Sequence, residues 1–173
     1  MAPIHDAVRG RDIEAVRREL AAGVSPDLEE ISNYNYTPLM VAASNDQLEI
    51  TLLLIEAGAD VDQAASIFTP LIIACHRGNE AIIAALLAAG ASVSRRVSLH
   101  HGGQSSLPVE RVLNNHKRVV SMLLRAGSPL PHHDDTIFMN DRSYGFNAAA
   151  TNYVNAVAAA GGYVPYERAH RQR

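Results

Sequence analysis

The sequence predicts an all-α repeat solenoid of about five stacked helix pairs, and three observations lead there. TPLMVAASNDQLEITLLLIEAGADVD, beginning at Thr37, aligns without a gap with TPLIIACHRGNEAIIAALLAAGASVS, beginning at Thr69. Gly23, Gly58, Gly90, Gly127 and Gly161 then recur at intervals of 35, 32, 37 and 34 residues. The 173 residues are 47% hydrophobic yet include only 6 Tyr, 3 Phe and no Trp, so small aliphatic side chains fill the core. Such side chains suit thin layers of closely spaced helices. One repeat cannot bury its apolar face alone, whereas stacking joins the faces into one elongated core.

The first unit begins at Ala2-Pro3-Ile4, which precede Gly23 by the same interval as Thr37-Pro38-Leu39 precede Gly58. Its outer helix carries polar Arg18 and Glu19, as a terminal cap with one solvated face requires. In the second and third units Pro38 and Pro70 occupy a first helical turn, where the missing N–H costs nothing, and Thr37 and Thr69 cap the helices they open. Ala42, Ala43, Ala74 and Cys75 are small because a short inner helix must approach its neighbours closely. Tight turns follow at Asn45-Asp46-Gln47 and Arg77-Gly78-Asn79. Leu48, Ile50, Leu53 and Leu54, then Ile82, Ile83, Leu86 and Leu87, recur at helical spacing for a buried face. Gly58 and Gly90 end those helices in left-handed cap positions.

The fourth unit, SLPVERVLNNHKRVVSMLLRAGS, keeps Met122, Leu123, Leu124 and Gly127, but Ser106-Leu107-Pro108 replaces TPL and Arg111 stands where a small residue belongs. In the closing segment Tyr153, Val154, Val157 and Ala158 supply an apolar face before Gly161-Gly162 stop it. The expected organisation is a repeat domain over 1–162, with units at about 2–34, 35–66, 67–103 and 104–137 and a degenerate closing unit at 138–162. Residues 163–173 form a short C-terminal helix or tail. Because Arg171-Gln172-Arg173 offers no apolar anchor, the natural chain is expected to continue further.

Composition excludes several functions. Net charge is -3, with residues 1–60 at -7 and the remainder at +4, so the stack has an acidic end and a mildly basic one. The basic end has a single lysine, Lys117, and no dense basic stripe, which argues against nucleic acid. The longest nearly apolar runs, LLLIEAGA and AIIAALLAAGA, fall short of the roughly 20 residues a membrane span needs. A cytoplasmic protein is expected, with the nucleus as an alternative, and a monomer. Cys75 is the lone cysteine, which rules out internal disulfides and thiolate-only metal sites. His132, His133, Asp134 and Asp135 are adjacent and do not converge on an ion without ligands from elsewhere, so no metal or cofactor is expected. The histidines fall in different units of a linear stack, and no GxxxxGK[ST], HExxH or GxSxG occurs, so no enzyme is expected.

The TPL openings, the small pair, the Gly after the inner helix, the Leu-Leu pair and the terminal GADVD together resemble the ankyrin repeat, best from about Pro3 to Leu130. Arg11 departs from that pattern by standing at the usual Gly position. The resemblance implies a curved, right-handed stack with short or irregular fingers along one edge, inner helices lining a concave face, and a protein or peptide bound there. The residues singled out for that contact are Tyr34, Tyr36, Ile67 and Phe68 on the fingers, Met40, Ser44, Ile73, His76 and Arg77 on the inner helices, and Arg95 and Arg96 in the third connection. Tyr36 and Phe68 have an alternative role, packing against neighbouring fingers; one of each pair Met40/Val41 and Ile72/Ile73 could instead be buried. The connection SVSRRVSLHHGGQSS is either a basic flexible finger that grips an acidic or phosphorylated group or a solvated insertion. The connection at 128–147 carries Ile137, Phe138 and Met139, expected to fold back over the stack. The leading functional expectation is a protein-binding scaffold or adaptor. The rival is a structural or regulatory segment packed against further parts of its own chain.

Overall fold

The computed structural model describes residues 3–31, 35–65, 68–95, 97–99, 103–106, 117–129, 156–157 and 159–160. Helices α1 (Pro3–Arg9), α3 (Pro38–Ser44) and α5 (Pro70–Arg77) form an inner row. Helices α2 (Ile13–Ala21), α4 (Leu48–Glu56), α6 (Glu80–Ala88) and α7 (Lys117–Arg125) form an outer row, packed in chain order. Each inner helix packs against the outer helix that follows it, giving three complete pairs, and α7 extends the outer row by one. The fourth unit's inner segment and most of the closing segment lie outside the described residues, although Val157 is buried in the core.

Local chemistry accounts for these elements. Thr37 and Thr69 accept from the backbone N–H of Met40 and Ile72 at 3.3 and 3.2 Å, and Asp12 caps α2 by accepting from Ala15 N–H at 2.9 Å. The repeated glycine ends each outer helix in the left-handed region, with φ of 86° at Gly58 and 90° at Gly90. The turn inside each pair needs a positive φ as well, 74° at Gly78. Arg11 and Asp46 meet the same requirement with side chains present, at 57° and 55°.

The inner helices are largely enclosed: α3 lies between α1 and α5, and each inner helix has an outer helix behind it. Leu39, Met40, Ala42 and Ala43 of α3 and Leu71, Ile72, Ala74 and Cys75 of α5 are buried, and Ile50, Leu54, Ile82, Ile83, Leu86, Val119 and Leu123 complete the core from behind. Truncating such a side chain removes its transfer free energy and leaves a cavity. The third connection departs from the expected flexible loop. Val97–Leu99 (β1) and Gly103–Ser106 (β2) pair antiparallel, Val97 with Ser106 and Leu99 with Gly103, with a register irregularity between. β-branched Val97 and the Gly102-Gly103 pair supply strand and turn signals that a helix-period reading passes over. Among the described residues, extended structure is confined to this ribbon and an isolated bridge between Ala65 and Phe68.

Candidate functional site

The stack presents two hydrogen-bonded edges. Along the fingers, Asp27 accepts from the backbone N–H of Asp60 at 2.8 Å, and Asp62 accepts from that of Ser92 at 2.9 Å. Both carboxylates stand four residues after a unit's terminal glycine, and both bond the residue two beyond the next unit's glycine, so this is a repeating clamp. It cannot continue to the fourth unit: Ser94 holds the carboxylate position and Pro129, which has no N–H, holds the donor position. There Ser128 instead donates to the Val93 carbonyl at 3.4 Å. Gln63 adds a bond to Glu29 across the same edge at 2.9 Å.

At the opposite edge, beside the turns inside each pair, Asn79 donates to the Ala43 carbonyl at 3.1 Å and Arg77 to Ser44 Oγ at 3.1 Å. From the other side Arg11 donates to the Asn45 carbonyl at 3.0 Å. The second unit is thus gripped by both neighbours. A buried link closes the first finger: His5 Nε2 donates to the Tyr36 carbonyl at 2.9 Å, and the Arg9 guanidinium pairs with the buried Glu30 carboxylate. That bond to Glu30 raises the pKa of Arg9 above its ordinary value, with the Asp6 charge adding to it.

The expected contact residues separate on this frame. His76, Arg77 and Arg95 are exposed, and Ser44 is half-buried with its hydroxyl bonded to Arg77. Tyr36 and Phe68 are half-buried and stack edge to face, ring centroids 6.0 Å apart and planes at 84°, which joins the bases of successive fingers. Met40 and Ile73 must be removed from the contact surface. Met40 is 0% and Ile73 5% exposed, and their partners Val41 and Ile72 are buried too, because α3 is held between α1, α5 and the outer layer, and α5 packs against both α3 and α6. Tyr34, Ile67 and Arg96 lie outside the described residues, as does the connection around Ile137, Phe138 and Met139.

Sequence reading missed the Asp27 and Asp62 clamp, although the signal was available: their spacing of 35 matches that of Gly23 and Gly58. It also missed Gln47 and Thr51, which are buried while the Gln47 amide atoms and the Thr51 hydroxyl have no hydrogen-bond partner.

The described residues contain no group of three or more His, Cys, Asp or Glu that could hold a metal ion. Cys75 is buried, and loss of hydration pushes its thiol far above the ordinary 9.0, so it persists as a neutral thiol and not as a nucleophilic thiolate. No described helix is long and apolar enough to cross a membrane. What this arrangement offers chemically is a set of rigidly spaced polar, cationic and aromatic contacts.

Comparisons with known proteins agree with the geometry. The family model described as "Ankyrin repeats (3 copies)" matches residues 1–65, and that described as "Ankyrin repeat" matches residues 68–97. Among solved structures, the human ASB11 ankyrin repeat domain matches with a TM-score of 0.65 and 25% identity, over 76% of this chain and 57% of that one. The chain therefore spans little more than half the length of the solved domain it matches. No curated protein matches it. With consecutive repeats matched, helix pairs stacked in chain order and the repeated caps in place, the chain belongs to the ankyrin repeat family.

Proposed function

We propose that the protein is a monomeric cytoplasmic scaffold or adaptor that binds a protein or peptide across the fingers and the exposed ends of its inner helices. The observation that carries this reading is preorganisation: side-chain bonds tie the first unit to the second and the second to the third at both edges. A surface already rigid before binding loses little conformational entropy when a partner docks, so several modest contacts can add to useful affinity. Tyr36 and Phe68 form the finger-side contact, His76, Arg77 and Ser44 the inner-helix contact, and Arg95 extends the strip toward the basic end. Tyr34, Ile67 and Arg96 belong to the same proposal by sequence position. Domain limits are proposed as before, a repeat domain over 1–162 followed by a tail.

The test uses the full chain as bait in lysate from its native cells, with His76→Ala/Arg77→Ala as the paired control. A specific partner is expected to cross-link to the fingers and inner helices of at least two adjacent units. The double variant should weaken it at least ten-fold while leaving the melt within about 0.5 kcal/mol, as changes at exposed positions usually do. Unchanged binding by the variant, with cross-links only at the outer helices, overturns the reading.

A further inference from the structure

The outer face of α4 points to a second docking surface, one that the inner-helix reading does not use. This helix buries the same positions as its neighbour α6, Ile50, Thr51 and Leu54 where α6 has Ile82, Ile83 and Leu86, but one of them is polar. Gln47 and Thr51 point inward, one turn apart, with three side-chain atoms lacking hydrogen-bond partners. Leu48 and Leu52, the next residue along in each case, point outward at 38% and 42% exposure. Ile55 continues the leucine stripe by another turn and is half-buried.

At the positions of Thr51 and Leu52 the neighbouring units differ, whereas Gln47 matches polar Asp12 and Asn79. Val16 and Ile83 occupy the inward site of Thr51, both at 0% exposure, while Arg17 and Ala84 occupy the outward site of Leu52. Folding alone would favour an aliphatic residue at Thr51, since a buried hydroxyl without a partner costs stability. Leu48 and Leu52 stand one turn apart on the exposed side, and that i, i+4 spacing is that of a ridge which fits between the side chains of another helix.

Charge identifies the occupant. The exposed flank of the ridge carries Asp46, Glu49 and Glu56 with no Lys or Arg on α4 itself, and Arg17 on the neighbouring α2 is paired with Glu14 at 3.9 Å. A second copy of the protein would bring those acids toward their own kind. The complementary partner is an amphipathic helix with an apolar stripe and Lys or Arg beside it. We propose that the Leu48–Leu52 ridge of α4 binds such a basic amphipathic helix from another protein, independently of the inner-helix surface.

The probe is a fluorescein-labelled 18-residue peptide of leucine and lysine with leucines at i, i+3 and i+4 spacing, compared by fluorescence polarisation with a shuffled peptide of identical composition. The full-length protein should bind the amphipathic peptide at least ten-fold more tightly than the shuffled one. Leu48→Ala/Leu52→Ala should abolish that preference, Glu49→Gln/Glu56→Gln should weaken binding several-fold and flatten its salt dependence, and His76→Ala/Arg77→Ala should change nothing. Single Leu52→Ala serves if the double variant melts early, and should then show the smaller loss of the same sign. Equal binding of the two peptides, wild-type affinity in the folded leucine variants, or sedimentation of the wild type as a dimer that Leu52→Ala disperses would each overturn the proposal.

Discussion

Thr37, Thr51 and Thr69 are equally buried, at 1%, 0% and 2% exposure, yet the same substitution should move stability in opposite directions at them. The hydroxyls of Thr37 and Thr69 each accept a backbone N–H that opens an inner helix. Replacing either by Val leaves that N–H buried and unmet, a loss typical of removed caps, about 1 kcal/mol. Thr51 Oγ1 has no partner, so its dehydration is uncompensated. Thr51→Val exchanges that hydroxyl for a methyl group of similar size at a site where the flanking units carry Val16 and Ile83, and a gain of about 1 to 2 kcal/mol is expected. For a chain of this size that is about 2 to 4 °C in Tm per kcal/mol. Urea melts of the three variants measure the signs directly, and unchanged m-values would establish that the folded and unfolded states are otherwise comparable. A destabilised Thr51→Val, or a stabilised Thr37→Val or Thr69→Val, would refute the reasoning that hydrogen-bond satisfaction decides the outcome at these sites.

Other perturbations have equally definite outcomes. Leu54→Ala and Leu86→Ala, both at fully buried positions, should each cost about 2 to 5 kcal/mol in denaturant melts, whereas Arg95→Ala should stay within about 0.5. Asp46→Gly should stabilise by about 0.5 to 1 kcal/mol, because Asp46 holds φ of 55° where the third unit uses Gly78; a loss would mean that the turn is not strained. Cys75 keeps its proton in the folded state well above the ordinary 9.0. Its contribution is therefore full below that pH and is lost as pH rises above it, by about 1.4 kcal/mol per pH unit relative to Cys75→Ala. Parallel pH-stability curves for the two proteins would contradict this.

The repeat register was legible because each regular signal has one physical cause. Glycines at fixed spacing mark backbone that must turn left-handed, and Thr-Pro marks a capped first turn; Thr37, Pro38, Gly58, Thr69, Pro70 and Gly90 all stand where those signals put them. Which side chains face outward was less legible. Met40 and Ile73 are apolar residues on seven- and eight-residue helices, and so short a helix shows no periodicity that separates an open face from one covered by a neighbouring unit. The buried polar site in α4 was hidden for a related reason. LEITLLLIE is apolar nearly all round, so the pattern alone does not reveal that Thr51 and not Leu52 points inward. The paired strands 97–99 and 103–106 escaped because they lie in an insertion, to which the repeat register assigns no element.

The most direct test of the central claim, that the rigid finger and inner-helix edge is the working surface, is amide hydrogen exchange on the complex with a captured partner. The account predicts added protection in the fingers around Tyr36 and Phe68 and at the ends of α3 and α5 near Ser44 and Arg77, spanning at least two adjacent units. Protection confined to the outer helices around Glu49 and Arg118, with the inner-helix ends unchanged, would contradict it.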